Sequence, residues 1–251
     1  MAARRTGCVL TELISTTRVL QKQVLSVQLY ELLRQRIVSG ELPLGASLVE
    51  EKVGREYGVS RSPVREALSR LESAKLVERI GPRTRQISTP APKFVSDIYD
   101  TWVIIEIGRA YSSCTNAPAA DAHRIQTLLD GMEQSLRSRD MARHLEITAK
   151  FHDLLTRHCR NDYLLQMARD CERFVEWFSN IYYRQVDISG LSLKEHRDIA
   201  RHYIDKDLLG LIASIDRHIR RQKKQVLATI FGEAGDRSGP AGSNKPKFRR
   251  R

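Results

Sequence analysis

The sequence predicts a mainly α chain in two parts, a small mixed unit over residues 24–87 and an antiparallel all-α helical bundle over residues 94–231. Three observations carry this reading. Six long segments after residue 94 show helix-period apolar stripes, separated by short polar breaks such as "NAPAA", "RND" and "DISG", and short connections join antiparallel neighbours. "ISTPAPKF" holds two prolines in a polar setting and reads as an extended linker over residues 88–93. Upstream of it the pattern changes to short helices and then to two strand-like runs.

Taken in order, residues 1–23 have a basic opening and an apolar content broken by Thr11, Glu12, Ser15, Thr16 and Thr17. This segment is expected to be a disordered leader and not a secretory signal. "VQLYELLRQRIVSG" is an amphipathic helix stopped by Gly40. "ELPLGASL" is read as a loop, and "VEEKVGREYG" as a second, short helix ending at Gly58. In "GVSRSPVREALSRLE", Ser62 is expected to cap a third helix with Pro63 at its first position. Val64, Ala67, Leu68 and Leu71 then follow the i, i+3, i+4, i+7 spacing of a buried stripe. "LVERI" and "RTRQI" are short strands joined across Gly81-Pro82. Helix, helix, helix and two-stranded ribbon is the order of a winged helix-turn-helix.

The bundle helices are read in "FVSDIYDTWVIIEIGRAYSS", "DAHRIQTLLDGMEQSLRSR", "MARHLEITAKFHDLLTRHC", "YLLQMARDCERFVEWFSNIYY", "LKEHRDIARHYID" and "DLLGLIASIDRHIRRQKKQVLATIF". The tail over residues 232–251 is rich in Gly, Pro, Ser and basic residues and is expected to be disordered. No stretch approaches the roughly 18 apolar residues of a membrane span. Cys8, Cys114, Cys159 and Cys171 form no C-x-x-C pair, so buried thiols in a reducing cytoplasm are expected.

The net charge of +12 is concentrated at the two ends. Residues 1–90 hold 15 Lys and Arg against 9 Asp and Glu, and the tail holds 6 against 2, whereas residues 91–231 are nearly balanced. A surplus of this kind suits a polyanionic partner. In the third helix Arg65 and Ser69 point away from the buried stripe, and Arg61 lies on the same side. They leave the positive end of a helix outward with two arginines, the arrangement by which a recognition helix enters the major groove of double-stranded DNA. Arg83 and Arg85 fall on or near the wing tip, where basic side chains reach phosphates or the minor groove.

Two of the seven histidines have an informative spacing. His196 and His218 lie eleven residues either side of Asp207, the N-cap expected for the last helix. In a helix hairpin such residues sit at the same height, so both imidazoles converge. His152, in "KFHDLL" on an earlier helix, is a candidate third nitrogen donor for zinc or another divalent cation. A metal-dependent enzyme on a helical bundle is the competing use of such a trio, with Glu195 or Asp153 as base. Adjacent helix positions point about 100° apart, however, so neither carboxylate naturally faces the metal.

"SLVEEKVGREYGVSRSPVREALSRLESAKLV" closely resembles the DNA-binding domain of GntR-type bacterial transcription regulators, and "LRQRIVSGELPLGASL" resembles that family's first helix and loop. The bundle resembles the all-helical FCD effector domain of the FadR subfamily, with "KFHDLL", "KEHRDI" and "IDRHIR" matching its histidine motifs. The resemblance implies a cytoplasmic, ligand-responsive DNA-binding regulator, a repressor in most relatives, and not an enzyme. It implies a homodimer on a palindromic operator and a small carboxylate effector. Ser60, Arg61, Ser62 and Arg65 fall at the family's DNA-contacting positions, completed by the wing around Gly81–Arg85, and His152, His196 and His218 at its metal ligands. Three departures matter. Glu51 stands where some relatives have a DNA-contacting arginine. Thr148 stands where the family has a metal-binding aspartate, which weakens the site. Trp102 replaces an arginine of the effector pocket.

Overall fold

Leu29, Leu33 and Ile37 recur every fourth residue and are buried, and they wind residues 24–38 into helix α1. The computed structural model describes residues 24–185 and 190–232. The leader, Cys8 and the basic tail beyond Gly232 lie outside the described residues. The chain divides into two units between Pro90 and Ala91.

In the first unit α1 is followed by β1 (Ser47–Val49), α2 (Glu50–Tyr57), α3 (Arg61–Ser73), β2 (Val77–Gly81) and β3 (Thr84–Ile87). Gly58 closes α2 with φ 64°, and its N–H donates to the Gly54 carbonyl. That left-handed turn costs glycine little and sends α3 across α2. Two details differ from expectation. α3 starts at Arg61 with Ser60 as its N-cap, and no side chain caps it. Pro63 is therefore third in the helix, still within the first turn, where its missing N–H has no intrahelical partner to lose. The ribbon is also a three-stranded antiparallel sheet of order β1-β3-β2. The end of the segment read as a loop pairs with β3, Leu48 opposite Arg85. Three residues hold no period of their own, and the partner strand lies far along the chain.

The described residues of the second unit form six helices: α4 (Pro92–Asn116), α5 (Asp121–Ser138), α6 (Met141–Thr156), α7 (Asp162–Tyr183), α8 (Gly190–Ile204) and α9 (Leu208–Phe231). α4 begins inside the segment read as linker, and Ser88 N–H still donates to the Leu76 carbonyl of the first unit. α4 packs chiefly against α9 and α7, while α5 pairs with α6 and α8 with α9. Val95, Tyr99, Trp177 and Phe178 are among the buried side chains of this core. Asp140, Asn161 and Asp207 cap α6, α7 and α9, each accepting a backbone N–H at 3.0 Å. At the α8–α9 corner a methyl group on Gly210 would collide with the His202 ring and the Asp207 carboxylate. Cys114, Cys159 and Cys171 are free and buried. Among the described residues no helix is long and apolar enough to cross a membrane.

Candidate nucleic-acid interface and metal centre

Pro63, Val64, Ala67, Leu68 and Leu71 bury one face of α3. The opposite face carries Arg61, Ser62 and Arg65, all exposed, with Ser60 exposed just ahead of them. Arg83 is exposed in the two-residue turn between β2 and β3. Five of the six residues assigned to DNA are thus solvent-facing on the first unit. Arg61 and Arg83 make no side-chain ion pair with the described residues, and Arg65 Nε lies 3.7 Å from Glu50 Oε2.

Arg85 corrects the sequence reading. Its side chain is 1% exposed, and its Nε donates to Glu72 Oε2 at 2.8 Å. Ile87 anchors β3 in the core, and strand residues two apart share a face, so Arg85 turns inward with it. Burial pushes the Glu72 carboxyl up, but hydrogen bonds from Arg79 and Arg85 outweigh that and hold it below the usual range. Arg85 therefore joins the wing to the end of α3 and is not available to a phosphate.

In the second unit His152 from α6, His196 from α8 and His218 from α9 each offer a nitrogen, and these atoms lie within 4.8 Å of one another. They face a cavity of about 470 Å³ that Trp102, Arg109 and Thr148 also line. His218 Nδ1 donates to Glu195 Oε2 at 2.7 Å, since a carboxylate only accepts. Its Nε2 is left as a lone-pair donor. Arg221 grips the same carboxylate with Nε and Nη2, each at 2.6 Å. Glu195 is thus committed to orienting His218, as carboxylates behind metal-binding histidines do. Glu195 is therefore not free to act as the base that an enzyme would need. Asp153 pairs with Arg157 at 3.1 Å.

His196 is 1% exposed, and neither of its ring nitrogens has a hydrogen-bond partner. Thr148 Oγ1 is likewise buried without one. Burial, with the neighbouring His218 and Arg109, pushes His152 down to about 3. Burial and the other imidazoles push His196 well below its ordinary value. Both are therefore neutral at pH 7, the form that binds a cation. Buried polar atoms normally find partners, and the orphaned nitrogens fit a divalent cation.

Arg109 escaped the sequence reading. Its Nη1 bridges Glu106 and Glu172 at 2.8 and 2.7 Å, and its Nη2 donates to Thr156 Oγ1 at 3.0 Å. Its guanidinium lies 5.8 Å from the centre of the Trp102 ring, and its Nε has no partner. Burial raises the Glu106 carboxyl to about 7, with Arg109 partly offsetting it. Trp102, Glu106 and Arg109 follow i, i+4, i+7 along α4, so the helical period could have found the arginine one face-length below the tryptophan.

Both units are similar to known proteins. Residues 25–84 match the family described as bacterial regulatory proteins, gntR family, and residues 97–221 match the FCD domain. The gluconate operon transcriptional repressor of Bacillus licheniformis is 30% identical over 58% of this chain, and the chain spans 60% of that repressor's length. Its counterpart in Bacillus subtilis (strain 168) is 28% identical over 66% of this chain and 68% of its own. The solved structure of E. coli McbR/YncC shares the fold, with a TM-score of 0.66 and 18% identity over 79% of this chain and 94% of that one.

Proposed function

Given that the chain belongs to the gntR family of bacterial transcription regulators and carries an FCD domain, we propose that it binds a palindromic operator as a homodimer. In this reading it represses transcription from the cytoplasm and senses a small carboxylate through a metal held by its helical unit. The metalloenzyme reading is set aside, because the family and the relatives are transcription regulators.

The DNA half rests on the exposed first turn of α3. Arg61 and Arg65 stand outward there over a buried stripe, which suits insertion into the major groove with Ser60, Ser62 and Arg83 on flanking phosphates. A two-fold operator calls for two copies. Ile104 and Tyr111 on α4, and Tyr163 and Met167 on α7, are exposed apolar side chains on two helices that pack together. We assign that surface to the second copy.

The single observation that carries the sensing half is His196, buried with both nitrogens unpartnered beside two further imidazoles. His152, His196 and His218 would hold zinc or a similar cation. Such a cation would supply a positive anchor for a carboxylate, which Thr148 as a neutral hydroxyl cannot. For the effector to control DNA binding it must favour one arrangement of the protein over another. Gluconate, named in two relatives, belongs in the first panel of ligands.

Thermal-shift measurements with organic acids and sugar acids, with and without zinc, test the reading. An acid that raises the midpoint only with zinc present, and that also changes the affinity for a selected DNA site, is the expected result. Thr148→Asp should tighten zinc binding beyond the parent in calorimetry, since it adds a charged ligand. Equal affinity, or no metal at millimolar supply, would remove the metal from the proposal.

A further inference from the structure

Glu50 begins α2 and is 3% exposed, and its Oε2 has no hydrogen-bond partner. Arg65 Nε stands 3.7 Å from that oxygen. The backbone N–H of Glu50 donates to the Arg83 carbonyl in the wing turn at 3.0 Å. One residue therefore meets α3 through its side chain and the wing through its main chain. A buried carboxylate oxygen without a hydrogen bond costs stability, so its position calls for another account.

We propose that Glu50 is a positioning residue that holds Arg65 to read a guanine. The inference rests on the reading of α3 as the recognition helix. A guanidinium has an Nε side and a terminal edge bearing Nη1 and Nη2. The Glu50 oxygen is paired with Nε, which leaves Nη1 and Nη2 for a ligand on a side chain that is 65% exposed. Two parallel N–H donors match the O6 and N7 acceptors of guanine in the major groove, whereas adenine places an N–H₂ donor at the first of these positions. Docking on DNA excludes water, and the lower dielectric strengthens the Glu50–Arg65 attraction at the moment of reading. A pre-set arginine also loses less freedom on binding.

The pair has a second consequence. The charge of Glu50 cancels that of Arg65 at longer range, so Arg65 adds selectivity and little attraction to bulk phosphate. Arg83 carries no such counter-charge among the described residues and is exposed in the wing turn, and it suits the backbone instead. Base reading and phosphate attraction are thereby assigned to different arginines.

The test uses the full chain. A random-sequence duplex library is first selected against the parent protein. Anisotropy titrations then measure every base at each position of the selected half-site, and bulk duplex, across a salt series. Glu50→Gln should lose roughly ten-fold of its preference for one guanine, the order of a bidentate contact. It should bind bulk duplex more tightly, with a salt slope steeper by about one, and unfold at or above the parent's temperature. A merely structural residue would lower the unfolding temperature and weaken all sequences alike, and that result overturns the proposal. Arg65 is exposed, so Arg65→Lys folds in either case. It keeps the charge without the fork and should lose the same guanine, and a retained preference there also overturns the proposal. If the library yields no preferred site, the regulator reading fails, and this inference with it. If a site emerges and Glu50→Gln reads it as the parent does, only this inference fails.

Discussion

On the first unit Arg61, Arg65 and Arg83 stand in solvent over a core of Val64, Leu68 and Leu71. In the second unit the polar groups of interest are buried, and several have no hydrogen-bond partner among the described residues. The arginines of the first surface are hydrated, and its helix is held by apolar contacts beneath. The cavity is incomplete by itself, because His196 and Thr148 hold unspent hydrogen-bonding and ligand capacity.

The largest expected effect concerns that incompleteness. His196→Ala should abolish zinc binding in calorimetry on the full chain, and Glu195→Gln, which releases His218, should cost roughly 10–100-fold in affinity. Arg61→Ala should change neither. Zinc binding that survives His196→Ala would mean that the imidazoles serve another purpose.

Acid should separate the two units next. His152 and His196 stay neutral in the folded chain but take up protons in the unfolded one below about 6.5. Their contribution is present above that pH and is lost as pH falls towards the folded values. Glu106, raised to about 7, works the other way, because folded chains bind its proton more readily than unfolded ones. The lowered imidazoles outnumber the raised carboxyl, so the helical unit should lose stability as pH falls below about 6.5. The lowered carboxyl of Glu72 in the first unit costs stability only once pH falls through the ordinary carboxylate range, from about 4.5 downwards. Both tryptophans, Trp102 and Trp177, lie in the helical unit, so their fluorescence in urea titrations at pH 7, 6 and 5 reports that unit alone. A midpoint that holds steady from pH 7 to 5 would contradict the buried neutral imidazoles.

The smallest effect distinguishes two neighbours in the wing. Arg83→Ala should reduce the salt slope of DNA binding by about one. Arg85→Met should leave that slope unchanged while lowering the unfolding temperature, because Glu72 loses its closest partner. Equal slopes for the two variants would return Arg85 to the DNA surface.

How far each region could be read in advance follows from the range of its contacts. The helices of both units, the Gly58 turn and the outward arginines of α3 are local patterns, and a local period suffices for them. β1 depends on a partner strand nearly forty residues away, and no local signal marks it. Arg85 was misplaced although the signal was available, since Ile87 two residues on fixes its face. Proximity to the wing tip had outweighed strand alternation. The preference of proline for the first helical position points to Ser62 as the cap, yet the whole first turn tolerates Pro63 and the helix starts one residue after Ser60. The convergence of His196 and His218 followed from hairpin arithmetic. The commitment of Glu195 to His218 did not, because it crosses between α8 and α9 and needs the packing of the pair. Arg109 needed only the face of α4 to be followed one turn further.

Gly210, pressed against His202 and Asp207, leaves the α8–α9 corner no slack. A single inserted residue there would turn His218 by about 100° around its axis, out of the cavity, with every helix intact. Length changes at that corner are therefore closed to this scaffold as a route to new ligands. Diversification is left to substitutions on α4, α6 and α7, with the corner acting as a fixed gauge against which those walls can vary.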